Sequence, residues 1–317
     1  MHAEPPISRF SNGERRSGGP VIAVVIASRS GTAMKYAELK KLRAKASQWP
    51  TFKKSWDDIP TGTRTLVVDR MLAKSLEPLS RFTKLQHLFV HSLREQDIQH
   101  VASIAKLRSL LVWKLDATSV PEFRNLKNLE SLGVYHASKL ISLSGIEGLS
   151  TLKHLFFYHI PNVRLLDPIK GLKNLEELVI EQSYATNKLV SFASLKPLKR
   201  LTRLKCLDLR GVHVDDGDLQ PIAHLPNLRY VFPCSYSMDA LELAKLAKQL
   251  NAQLAKEDRI GPTLDLDDSN QFGRCKKCDH MQKQLVGKVG KKYRLLACPK
   301  CDAALIQERK KLFESAS

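Results

Sequence analysis

Between about Thr63 and Cys234 the chain repeats one short arrangement of apolar positions eight times. The best copies read leucine, two residues, leucine, one residue, apolar: Leu85-Leu88-Val90, Leu107-Leu110-Val112, Leu129-Leu132-Val134, Leu152-Leu155-Phe157, Leu175-Leu178-Ile180 and Leu204-Leu207-Leu209. A weaker copy opens the series at Thr63-Leu66-Val68, and another closes it at Leu228-Val231-Pro233. First positions are separated by 22, 22, 22, 23, 23, 29 and 24 residues. Within each phrase apolar and other residues alternate, the period-two pattern of a short strand with one buried face.

A second rhythm lies upstream of each phrase. Apolar residues stand nine, six and three positions before it, as in Leu76, Leu79 and Phe82, or Leu166, Ile169 and Leu172. Seven such triplets occur without a gap. A spacing of three suits a 3₁₀ or short helical turn. One unit cannot bury its own apolar side, but stacked units share a continuous core, so the pattern predicts a solenoid with a parallel sheet along one face.

These residues resemble the leucine-rich repeat family in its short class of about 22 residues, similar to internalins and phosphatase-regulator repeat proteins. The resemblance covers a little over half the chain. It implies an α/β fold, a leucine-rich repeat solenoid with a parallel concave sheet, and a role in protein binding. The family's Asn eight residues after the first leucine is absent: Leu93, Leu115, Ala137, Ile160, Ser183 and Val212 stand there. No asparagine ladder is therefore expected.

The flanks complete the division. Residues 1–33, rich in Gly, Ser, Pro and Arg, read as a disordered arm. Its apolar run Val21–Ala27 follows Arg15 and Arg16 but is short for an export signal, which stays the weaker alternative. Helical spacing of Tyr36, Leu39, Leu42 and Ala46, followed by Trp49 and Trp56, predicts an N-terminal cap over 34–61. Residues 62–251 form the solenoid with a helical C-terminal cap over about 238–251, where Ala240, Leu243, Leu246, Ala247 and Leu250 recur. Gly261-Pro262 and the acids Asp265, Asp267 and Asp268 make 252–271 a linker, and 305–317 is a tail.

Cysteines give the most specific chemical motif. Cys275-Lys-Lys-Cys278 and Cys298-Pro-Lys-Cys301 are separated by 19 residues. Two residues between thiolates let one tight turn aim both sulfurs at one ion, and two such turns complete a tetrahedron. The segment between, with Gly287, Gly290, Tyr293 and Leu295, reads as a two-stranded hairpin. The whole resembles a small zinc-ribbon domain over 272–304 holding structural Zn²⁺. Iron, a redox pair and disulfides are the alternatives. Cys206 and Cys234 are too scattered for a disulfide framework, and paired thiols in a metal pattern suit a reducing compartment such as the cytoplasm.

Net charge is +19 and spread along the chain. Its densest stretch is 274–311, with 12 basic and 3 acidic residues. This makes nucleic acid the second partner class, through phosphate contacts by the ribbon and N-terminal arm. Tyr293 is the one aromatic residue there, too few for base stacking. No apolar run is long enough for a membrane helix.

Outward positions of the phrases supply the candidate protein-binding surface. The last column reads His91, Trp113, Tyr135, Tyr158, Glu181, Arg210, and Phe89, Leu111 and Phe156 run beside its aromatic part. Exposed aromatic patches mark interfaces, so a partner protein is expected on this face. Catalytic signatures are lacking: there is no phosphate-cradling glycine loop, HExxH or GxSxG. Asp215, Asp216 and Asp218 lack the distal Glu of a calcium loop, and no small-molecule substrate is evident.

Overall fold

A computed structural model describes residues 55–68, 72–182, 189–233, 237–265, 273–288 and 296–316. The arm at 1–33, the cap up to residue 54 with Trp49, the surplus at Ser183–Lys188, Cys234, Tyr293 and Leu295 lie outside the described residues.

Each of the eight phrases is a strand. These are β1 (Thr65–Val68), β2 (His87–Arg94), β3 (Ser109–Asp116), β4 (Ser131–His136), β5 (His154–Tyr158), β6 (Glu177–Glu181), β8 (Cys206–Asp208) and β10 (Tyr230–Phe232). They pair in parallel, in chain order, as one sheet. The register matches phrase to phrase: Leu88 faces Leu110, Leu110 faces Leu132, and Leu132 faces Leu155. The fold is a leucine-rich repeat solenoid.

Stacking explains the two rhythms. The phrase leucines are buried, as are all the triplet residues except Ile98, which is partly buried on the same core. Upstream turns are short and tight: Glu77–Arg81, Ile146–Gly148, Asp167–Gly171 and Lys196–Arg200 are 3₁₀, and α1 (Ile98–Ala102) and α2 (Gln220–Ala223) are single α turns. Three of these 3₁₀ turns begin with a proline at the first or second position, where its fixed φ suits the turn and its missing N–H is not needed.

The long unit after Leu175 has a use the phrase pattern does not foresee. Two extra strands, β7 (Val190–Phe192) and β9 (Val212–Val214), pair in parallel as a separate sheet. They begin where the chain leaves β6 and β8, and Val190, Phe192, Val212 and Val214 all join the main core.

The asparagine expectation needs correction. At the usual position Leu93, Leu115, Ala137, Ile160 and Val212 are buried, but a ladder stands on the opposite flank, one residue before the first leucine. Asn128 Nδ2 donates to the Ala105 carbonyl (2.9 Å), Asn174 Nδ2 to Ser150 (2.8 Å) and Asn227 Nδ2 to Thr202 (2.8 Å), each reaching the preceding unit. Thr151 Oγ1 takes the same place and donates to the Leu129 carbonyl at 2.8 Å.

Both ends of the core are closed. At the described N-terminal edge, Trp56 packs on Phe82 with ring centroids 6.1 Å apart, and Ile59 is buried. At the other end α3 (Ala240–Leu250) is capped by the Asp239 carboxylate, which accepts from the Leu241 and Glu242 amides, and buries Leu243, Leu246 and Leu250.

The stretch read as a linker carries structure up to Asp265. The Asn251 side chain exchanges two hydrogen bonds with the Ile260 backbone, Leu254 and Ile260 are buried, and Thr263–Asp265 forms β11. β11 pairs antiparallel with β12 (Lys283–Leu285), which pairs with β13 (Leu296–Ala297). The expected two-stranded hairpin is thus a three-stranded sheet. The C-terminal stretch forms α4 (Ala303–Ser315), which packs on α3.

Candidate functional site

Outward side chains of the sheet form a second apolar cluster, on the face away from the main core. Leu111, Tyr135, Phe156 and Val179 make up its centre, with Phe89, Trp113 and Tyr158 packed against it. The cause is register: Phe89, Leu111, Gly133, Phe156 and Val179 are successive cross-strand neighbours. Adjacent strands lie ~4.8 Å apart, so large side chains in one column must touch.

The aromatic column is continuous from Trp113 to Tyr158. Trp113 and Tyr135 stack at 5.5 Å and 29°, and Tyr135 and Tyr158 lie 6.1 Å apart, tilted by 44°. The face is less open than an exposed patch. Leu111, Tyr135 and Phe156 are only 3, 6 and 4 % exposed, while Phe89, His91, Trp113 and Tyr158 are half-buried. Shoulder-to-shoulder packing removes the flat sides of the rings from water and leaves the outer ones partly accessible.

Sequence reasoning missed two histidines one position further on. His136 stands edge-on to Trp113 (4.5 Å) and to Tyr158 (5.7 Å), and His159 lies 5.8 Å from it. His159 has φ +62°, uncommon for a side chain with a Cβ, and its amide donates to the Glu181 carbonyl at 2.9 Å. The signal was the pair itself, His136 and His159 at equivalent positions of adjacent units.

At the cysteine motif, all four sulfurs lie within 4.8 Å of one another. Cys278 Sγ is 3.4 Å from both Cys298 and Cys301, and Cys275 Sγ is 3.8 Å from Cys301. The edge of a tetrahedron with zinc–sulfur bonds of ~2.3 Å is roughly 3.8 Å. Both turns are built alike: Asp279 N donates to the Cys275 carbonyl and Asp302 N to the Cys298 carbonyl, each at 2.9 Å. Asp279 takes φ +58°, a conformation Asp tolerates. The Cys298 amide donates to the Asp302 carboxylate (2.8 Å).

No protein-family model matches the chain, and no curated protein does. Among solved structures, an internalin, InlF of Listeria monocytogenes, is 21% identical over 50% of this chain and 43% of its own, with a TM-score of 0.41. Internalin C2 of the same organism is 22% identical over 50% and 65%, with a TM-score of 0.40. The leucine-rich repeat ectodomain of the Arabidopsis thaliana receptor kinase GASSHO1/SCHENGEN3, solved in complex with CASPARIAN STRIP INTEGRITY FACTOR 2, is 17% identical over 56% and 24%, with a TM-score of 0.34. The chain spans less than two thirds of each of these proteins. Among the described residues no helix is long and apolar enough to cross a membrane.

Electrostatics divide the concave face. Its aromatic half ends at His154 and Glu177, whose Nδ1 and Oε2 lie 3.2 Å apart but are misaligned for a hydrogen bond, leaving a buried electrostatic contact. Beyond it, Arg210 holds Asp208 through Nε (3.0 Å) and Nη2 (2.6 Å), approaches Glu181 (3.7 Å) and lies 5.4 Å over the Phe232 ring. Burial pushes the Glu181 carboxyl up to about 7; Arg210 opposes the rise and Asp208 adds to it. Burial also raises the Cys206 thiol, which keeps it inert. Burial, then the neighbouring His159, lower the pKa of His136, favouring a neutral ring among the aromatics. Beside them Gln182 is 2 % exposed, and Gly211, at φ +75°, crosses it so closely that a Cβ would meet the Gln182 Cβ at 2.6 Å.

Proposed function

We propose that this chain is a non-catalytic protein-binding module that holds a partner protein on the concave face of its solenoid. One observation carries the reading: an aromatic and apolar cluster lies on the side of the sheet opposite the core, where the fold itself requires no apolar residues. Half-buried Phe89, His91, Trp113 and Tyr158 are the contact residues, and Leu111, Tyr135 and Phe156 support them from below. Aromatic rings held by their neighbours give large contact area with little loss of side-chain freedom. The charged end at Asp208, Glu181 and Arg210 fixes the partner's direction, because a buried, already paired network tolerates few arrangements of charge.

The same reading assigns structural Zn²⁺ to Cys275, Cys278, Cys298 and Cys301. The sulfur spacing fits one tetrahedral ion, and four thiolates close the coordination shell, so the metal supplies folding energy and no reaction.

The test is capture of partners from native lysate by the tagged full-length chain after nuclease treatment, read by mass spectrometry. A discrete protein is retained by the wild type and lost with Trp113→Ala/Tyr158→Ala, a pair chosen because Tyr135 is packing. Unchanged capture by a variant that keeps the wild-type circular dichroism spectrum sinks the concave-face reading.

A further inference from the structure

The two flanks of the solenoid differ in charge. Where strands end, described ionic groups pair off: Arg94 with Asp97, Lys139 with Asp116, and Arg164 with Asp215. Where strands begin, cations dominate. The column after the first leucine position carries Arg64, Arg108, Lys153, Lys205 and Arg229, interrupted by Glu130 and Glu176. The column before it adds Lys84, Lys106 and Arg203, and the one before that Lys127 and Lys173. Ten cations thus face two carboxylates.

Both carboxylates are already engaged. Glu130 takes Arg108 (2.6 Å) and Lys153 (3.1 Å), and Glu176 takes Lys205 (2.9 Å). These cross-unit pairs hold the flank's side chains in rows, and the Arg108 and Lys153 contacts keep Glu130 below its usual range despite its burial. Lys84, Lys106 and Lys127 are exposed and make no ion pair among the described residues. A shallow groove of about 610 Å³ opens here, with Lys106, Lys127, Asn128, Thr151 and Asn174 in its walls.

We propose that this flank is a sequence-independent binding surface for the phosphate backbone of duplex nucleic acid. Eight strands at ~4.8 Å spacing set cations along roughly 34 Å, about one turn of B-form duplex. A regular row of charge matches a polymer of regularly spaced phosphates better than the irregular carboxylates of an acidic protein. The three columns hold no aromatic side chain, which argues against base stacking on a single strand. Ala105 and Pro226 are their only apolar members, which argues against insertion into a lipid surface. The surface is separate from the concave face, so both can be occupied together.

The experiment is fluorescence anisotropy of a labelled random-sequence DNA duplex, about one to two turns long, with the full-length protein across a salt series. The wild type binds with affinity that falls steeply with salt. Lys84→Gln/Lys106→Gln/Lys127→Gln binds at least about tenfold more weakly near physiological salt, and its log K against log salt slope is shallower by about 2–3, since each phosphate contact contributes ~0.9. A parallel variant, Lys276→Gln/Lys277→Gln/Lys300→Gln, removes exposed ribbon cations and keeps most of the binding. The proposal is overturned if the wild type does not bind, if the flank variant keeps the wild-type slope, if the ribbon variant alone abolishes binding, or if poly-glutamate competes as well as duplex at equal charge.

Discussion

The solenoid and the cysteine-bearing C-terminal module are stabilised in opposite ways. In the solenoid, burial is spread over eight units, each contributing phrase and triplet residues to one continuous core. Among the described residues the C-terminal module has a small core of its own, Leu285, Ala297 and Ile306 with Leu305 against it. Four sulfurs gather within 4.8 Å of one another in it, and it leans on the solenoid. Val286 belongs to the main core and Phe313 packs against it. Arg309, 8 % exposed, donates to the Val286 carbonyl (2.6 Å), and Lys288 N donates to Met238 O (2.9 Å). At φ +86°, Gly287 lies so close to α3 that a Cβ would come within 2.5 Å of the Ala240 Cα and Cβ, so only glycine fits. Distributed burial tolerates a local loss; a single centre does not. The interlock means that the module also finishes the solenoid's C-terminal end.

The largest effect should come from the single centre. Structural zinc contributes on the order of 10 kcal/mol to the folding of small metal domains. Cys298→Ser removes a fully buried thiol, one of the four proposed ligands. Metal analysis should fall from one zinc per chain to none, and amide exchange should accelerate across 273–288 and 296–316. Because Val286 and Phe313 join the main core, protection should also fall in α3, while β2 to β5 keep theirs. Full zinc content in the variant would refute the four-cysteine site. Unchanged protection in α3 would refute the interlock.

Next comes the distributed core. Phe157→Ala empties the centre of β5, where the side chain is 1 % exposed. A loss of about 3–5 kcal/mol in chemical denaturation is expected. Neighbouring units should lose protection together, because each unit's interface is shared. A cost below about 1 kcal/mol would mean that the interior collapses around the cavity.

The pattern that made the solenoid legible is the one its burial requires. Leu88, Leu110 and Leu132 must all point inward, so their register is written in the phrase. The four cysteines are legible for a similar reason, since two short turns leave little choice of geometry. What escaped reading depends on pairing at long range. Thr263–Asp265 is too short to show alternation, and its strand character comes from β12, some 20 residues away. The burial of Tyr135 was equally hidden, because it follows from side chains in neighbouring units.

A smaller effect tests the charged end of the concave face. Glu181 is 6 % exposed, and its carboxyl lies near 7 in the folded chain against 4.5 for an ordinary Glu. The folded state therefore binds this proton more tightly than the unfolded state. Its stabilising effect is complete below about 4.5 and is lost as pH rises through 7. Glu181→Gln should gain on the wild type by about 1–3 kcal/mol between pH 5 and 8, as followed by urea denaturation. An advantage independent of pH would show that Arg210 compensates the charge fully.

The smallest effect concerns the displaced asparagine ladder. Its signal was present in Lys127-Asn128-Leu129, Lys173-Asn174-Leu175 and Asn227-Leu228, one place before the first leucine of each phrase rather than eight places after it. Asn128→Ala breaks one amide-to-carbonyl bond, to Ala105. Both partners lie on the surface, so water can replace the lost bond, and a cost of about 0.5–1 kcal/mol is expected. Asn128→Ala/Asn174→Ala touches two separate junctions and should cost the sum of the single changes, because neither bond shares an atom with the other. A double variant costing clearly more than that sum would make the ladder cooperative, tying the flank's units together beyond their shared core.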